Sequence, residues 1–150
     1  MKRAWIPVLA ALSLFASGCK KQVPNDIIQK SITHVLRQDA NIATAMCGVQ
    51  AKGITGPSVT VKTRGNNSTG VAHVKGSSLF AQGGIKTCEG DLEFAYSYTA
   101  RTTGPSRNRR TVTTWYLNHL KLVAVQTPGV TLKGPVDEDV NDDDDDDDGK

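Results

Sequence analysis

Three carboxylates, Glu89, Asp91 and Glu93, stand at alternate positions in one stretch of this chain. Alternate residues share a face on a β-strand, so the spacing gathers them into a small acidic cluster. Two carboxylates held that close can serve as general acid and base or hold a cation, but the expectation here is a solvated strand start, which does neither. Opposite charge collects further on, where Arg107, Arg109 and Arg110 crowd one polar loop and Arg101 sits at its other edge. Guanidinium groups in such a cluster grip phosphate, a lipid headgroup or an acidic partner through paired N–H donors, or else keep a hairpin tip soluble. Cys47, Cys88, His73 and His119 would be the ligands of a zinc site, but no pair among them has the close spacing of one. His34, His73 and His119 are therefore read as single residues on helix or strand surfaces.

The end of the chain offers a different motif. Asp144-x-Asp146-x-Asp148-Gly149 copies the opening of a calcium loop, but the terminal Glu and both flanking helices are missing. A run of Asp repels itself and has nothing apolar to bury, which predicts a disordered acidic tail over 137–150. Elsewhere there is no Gly-x-Ser-x-Gly, His-Glu-x-x-His, phosphate-binding glycine loop or Cys-x-x-Cys, so the expectation is a non-enzyme with no cofactor and no metal. The overall charge of +3 hides a division. From Cys19 to Val136 fifteen Lys and Arg face five acids, a net of +10, whereas ten acids after Val136 face Lys150 alone, a net of −9. Nucleic acid is not the expected partner of the basic body, because no stacking aromatics are interleaved with the arginines.

Ile28, Ile32, Val35, Leu36, Ile42, Ala43 and Met46 recur at helical spacing. They predict one amphipathic helix over 26–46, capped by Asn25 and ended by Gly48. From Gly53 onward short β-rich runs alternate with Gly, Asn, Ser and Thr, the pattern of antiparallel strands. Strands are expected at Ser58–Thr63, Gly70–Lys75, Ser78–Gln82, Asp91–Arg101 and Thr111–Gln126, with a last edge strand at Val130–Lys133. The apolar parity of the longest run slips near Asn118-His119, which predicts a bulge, or else a tight hairpin. Asn66-Asn67-Ser68-Thr69 holds two glycosylation sequons, read here as turn chemistry. The expected fold class is α+β: one N-terminal helix packed on a curved antiparallel sheet of four to six strands. That element order resembles cystatin-like and helix-grip folds.

The first nineteen residues resemble the lipobox signal of bacterial lipoproteins. Met1-Lys2-Arg3 is a basic start, 4–16 is an apolar run, and Ala16-Ser17-Gly18-Cys19 closes it with small residues before a thiol. The run is shorter than the roughly 20 residues a membrane span needs. The resemblance implies that residues 1–18 are removed and that Cys19 is lipidated, with palmitate-type acyl chains anchoring the protein to a membrane. Residues 19–24 would be a tether, 25–136 a single domain and 137–150 the tail. Lys20 stands where inner-membrane lipoproteins carry Asp, which implies the outer membrane of the cell envelope, facing the periplasm or the cell surface. With Cys19 spent, Cys47 and Cys88 remain as a pair in an oxidising compartment, where a disulfide is the default.

These readings converge on a lipid-anchored, non-catalytic binding module whose partner is an anionic glycan, a lipid headgroup or an envelope protein. An inhibitor or accessory subunit of an envelope enzyme or secretion complex is the alternative. A hydrolase using Glu89, Asp91 or Glu93 is the third.

Overall fold

The computed structural model describes residues 21–80 and 84–137. Its elements run α1 (Asn25–Leu36), α2 (Ala40–Cys47), β1 (Ala51–Arg64), β2 (Thr69–Phe80), β3 (Thr87–Thr103), β4 (Arg110–Val125) and β5 (Val136–Asp137). The strands form one antiparallel sheet in sequence order, β1-β2-β3-β4-β5. The α+β class therefore holds. The expected removed signal, Cys19 and the poly-Asp run lie outside the described residues.

The single helix predicted over 26–46 is two. Its apolar stripe is real, since Ile28, Ile32, Leu36, Ile42 and Met46 are all fully buried. The break falls where β1 crosses the end of α1: a Cβ on Gly53 would lie 2.3 Å from the Arg37 carbonyl oxygen. Beyond that crossing Asp39 starts a new helix, accepting from the amides of Asn41 and Ile42, each at 2.9 Å. Asn25 is not the expected cap. It is the first helical residue, Pro24 takes the cap position, and the Asn25 carboxamide oxygen accepts from Arg64. Gly48 ends α2 in the left-handed conformation, as anticipated.

Strands are longer than the sequence suggested. The run at Gly70–Lys75 and the described part of the run at Ser78–Gln82, up to Phe80, join into β2, and Val130–Lys133 is a loop, not an edge strand. Val130 packs instead against Gly48, and the brief fifth strand comes later, at Val136. The bulge is confirmed and the hairpin alternative falls: Ala95 pairs with His119 and Tyr96 with Leu117, leaving Asn118 over. One extra residue is what lets Leu117 before it and Leu120 and Leu122 after it face the same side. The Asn66 carboxamide accepts from the amides of Ser68 and Thr69, so the sequon segment is indeed a turn.

Both helices cover one sheet face, where Ala72, Val74, Leu92, Phe94, Leu120 and Leu122 are buried. Cys47, the last residue of α2, is bonded to Cys88, the second of β3, with their Cα atoms 4.9 Å apart. The bond pins helix to sheet and uses up both thiols, which removes the zinc reading that needed them. Closing 41 residues, it constrains the unfolded chain by about 4 kcal/mol in the chain-entropy model. Beside it the buried Thr127 hydroxyl donates to the Met46 carbonyl at 2.7 Å and accepts from the Glu89 amide at 2.8 Å. No described helix is long and apolar enough to cross a membrane.

Candidate functional site

Pairing between β2 and β3 stops at Thr69 and Ala95, but β3 and β4 continue alone. Seven further pairs, from Ser97 with Tyr116 to Thr103 with Arg110, carry a two-stranded arm past the end of the sheet. At ~3.3 Å per residue the arm is roughly 23 Å long before its loop. Tyr96 marks where the core ends. It is buried, its hydroxyl lacks a hydrogen-bond partner, and burial pushes its ionisation up. Ser31, which bears on it electrostatically, donates its own proton to the Ile27 carbonyl.

The arm collects all four arginines singled out in the sequence. Arg101 lies on β3 opposite Val112, Arg110 on β4 opposite Thr103, and Arg107 and Arg109 in the loop between. All four are exposed. From Phe94 to Val136 the chain contains no Asp or Glu, so no acid within the arm offsets them. The loop turns at Gly104, whose φ of 105° belongs to glycine, and closes with the Asn108 amide on the Pro105 carbonyl at 2.8 Å. Folding also brings to the arm aromatics that the linear sequence keeps apart. Tyr98 and Trp115 meet with ring centres 4.9 Å apart and planes tilted by 49° on the face that continues the helix side, while Tyr116 is half exposed on the other.

Residues 21–24, part of the expected tether, are folded against the base of this arm. Val23 is buried, its amide donates to the Asn67 carbonyl at 2.9 Å, and Arg64 donates to the Val23 carbonyl at 3.0 Å. The Lys21 ammonium donates to the Thr113 hydroxyl at 2.6 Å. Apolar Val23 explains the change, since a valine beside an open core edge is worth more buried than solvated.

The acidic triplet behaves differently from the expectation of a solvated strand start. Glu89, Asp91 and Glu93 do share the sheet face opposite the helices, but Asp91 is buried and Glu93 is exposed. His73, expected to sit singly, lies directly across from Asp91 in the β2–β3 register. Its Nδ1 is 2.8 Å from Asp91 and its Nε2 is 2.9 Å from Glu89. Lys62, re-aimed by a bulge in β1, donates to Asp91 at 2.9 Å, and Gln126 donates to it at 3.0 Å. Burial alone would raise the Asp91 carboxyl, but the bonds from Lys62, His73 and Gln126 outweigh it and hold the group below its ordinary value. A carboxylate so fully engaged is a poor proton acceptor, and Glu89 is occupied by His73 and Lys75. The cluster knits β1, β2, β3 and the end of β4 together. Among the described residues no three His, Cys, Asp or Glu side chains form a group able to hold a metal.

The sequence missed His73 and Lys62 because their roles depend on register. His73 meets Asp91 only once β2 and β3 are paired. No family model matches the chain, and no curated protein or solved structure matches it.

Proposed function

We propose that the chain is a lipid-anchored protein of the cell envelope, held at the outer membrane through Cys19, whose arm binds an anionic partner without catalysis. The arm carries this reading: four exposed arginines on a projection with no carboxylate of its own. Charge left uncompensated on an extended, poorly packed element contributes little to stability, whereas it attracts phosphate or sulfate groups through charge-assisted bonds. The His73 cluster, by contrast, is closed upon itself.

Three measurements test the reading. Mass spectrometry of the mature amino terminus should find acyl chains on Cys19, and Cys19→Ala should release the protein from the membrane fraction. The mature-length chain with Cys19→Ser should be retained on a sulfated-polysaccharide matrix until salt is raised. Retention that does not respond to Arg107→Gln, Arg109→Gln and Arg110→Gln together would sink the arm as the anion site.

One observation favours the second reading, an accessory subunit or inhibitor. Strand β5 pairs with β4 only at Lys121 and Leu122, so from Arg110 to Leu120 that edge of β4 has no strand paired to it among the described residues. An open edge accepts a partner's strand. Crosslinking in intact cells separates the two: a stoichiometric protein partner supports the accessory role, and recovery without one supports the first.

A further inference from the structure

We infer that the arm is a second membrane contact, its distal half docking on the anionic headgroups of the bilayer that holds the acyl chains of Cys19. This rests on the lipid-anchor and anion-binding readings above and adds the partner: a phospholipid surface, in preference to a glycan or a protein.

The first support is a matter of reach. Only Lys20 separates Cys19 from Lys21, so at ~3.5 Å per residue the backbone between them spans at most about 7 Å. Lys21 is bonded to Thr113 on the arm, and Val23 is fastened to the turn beside the arm's base. An acylated Cys19 is thereby confined to the neighbourhood of the arm. From Thr113 the arm runs on through Val112 and Thr111 to Arg110, roughly 10 Å at ~3.3 Å per residue, with the loop bearing Arg107 and Arg109 beyond. The two distances are alike. A membrane near enough to hold Cys19 is near enough to meet the arginines, while the helices and disulfide lie on the far side of Thr113.

Surface chemistry is the second support. The guanidinium groups are distributed over two strands and a loop, an arrangement that suits many separate phosphates better than one. Arginine stems also lie comfortably along apolar surface while the head stays wet. Val112, at 56% exposure, is among the most open apolar side chains described, and Tyr98 and Tyr116 are close to half exposed. Amphipathic aromatics beside cations are what the headgroup layer of a bilayer favours. Several acyl chains already hold the protein on the bilayer; what a basic patch beside them adds is a fixed orientation.

The test uses the mature-length chain with Cys19→Ser, which carries no acyl group, and Ser106→Cys labelled with an environment-sensitive dye at the arm's tip. It is mixed with vesicles of phosphatidylcholine alone or of equal parts phosphatidylcholine and phosphatidylglycerol. Co-sedimentation and a blue shift of the dye are expected with the anionic vesicles and not with the neutral ones. Each Arg→Gln at 101, 107, 109 or 110 should weaken vesicle binding about five-fold, the effect of one basic residue near an anionic leaflet. All four side chains are exposed, and Arg107→Gln and Arg109→Gln lie outside the strands, so the loop pair tests the contact without risk to the fold. Vesicle binding with an unmoved dye, or binding unaffected by the four substitutions, overturns the arm as the contact. No vesicle binding with retention on sulfated polysaccharide overturns the bilayer and leaves the anion-binding reading standing; loss of both overturns the two together.

Discussion

Strands β3 and β4 lead two lives. Over Cys88–Tyr96 the inward residues of β3 are sealed beneath the helices, and over Tyr98–Thr103 the same strand stands exposed. Phe94 and Tyr98 are four residues apart on the same face, the first fully buried and the second 46% exposed. The chemistry of the side chains differs as little as aromatics can, so the contrast comes from what lies above them. Phe94 belongs to the core cluster with Ile28, Ile32 and Leu36 of α1 and Ile42 and Met46 of α2; Tyr98 has Trp115 beside it and shares an open pocket with Lys21 and the Asn66–Ser68 turn. The half with packing carries stability, and the half without it carries charge and is free to meet a partner.

The sharpest way to break this contrast is to truncate both aromatics. Phe94→Ala should cost about 4 kcal/mol through lost burial and the cavity left behind, and Tyr98→Ala under about 1 kcal/mol. Urea unfolding measures both. A large effect at Tyr98 would mean the arm is part of the cooperative core. Next in size is the staple. Cys47→Ala with Cys88→Ala should cost about 2–4 kcal/mol, while anion retention at a temperature where the variant is folded stays unchanged, because the arm does not touch the disulfide. A loss of retention in the folded variant would show that the two halves are coupled.

A smaller effect comes from the sheet's outer face. Asp91→Asn keeps the shape but weakens the bonds from Lys62 and His73, and should cost about 1–2 kcal/mol at neutral pH. The folded carboxyl is held below its ordinary value, so its contribution is complete above the unfolded value of about 3.9 and is lost as pH falls through the lower folded one. The gap in stability between wild type and Asp91→Asn should therefore be constant from neutral pH down to about 4 and shrink below it. A gap that shrinks already near pH 6 would mean that the Asp91 carboxyl is not held below its ordinary value.

How much of this was legible beforehand follows from what kind of information each feature needs. Helical spacing from Ile28 to Met46 exposes the buried stripe, and the parity slip at Asn118 exposes the bulge, because both are local. The break at Arg37 was not legible, since it is set by Gly53 arriving from another element. Asp39 followed by helix-compatible residues was the available signal, hidden inside an unbroken apolar period. The four arginines could be read as a cluster from their spacing, but not that they ride an arm beyond the sheet. That depends on where β2 stops. His73 and Asp91 are eighteen residues apart, and only the pairing of β2 with β3 makes them neighbours.

The Asp run at 142–148 carries the charge opposite to the arm's. Strand β5 runs antiparallel to β4, with Asp137 beside Lys121 and within 4.0 Å of His119, so the chain leaves the sheet heading toward the arm's tip. From Asp137 to Asp148 is eleven residues, and from Lys121 back to Arg110 is also eleven, so at ~3.3 Å per residue the Asp run is long enough to lie along the arm. Exposed charges more than about 8 Å apart are largely screened at physiological salt, which means that only contact matters. An Asp run touching the arginines competes with any anionic partner. Ending the chain after Asp137 should therefore raise affinity for anionic vesicles by a small factor, on the order of two- to five-fold for exposed pairs worth up to about 1 kcal/mol. The gain should vanish at high salt. Equal affinity with and without the Asp run at low salt would mean that its charges never reach the arm, leaving them only to keep the protein soluble.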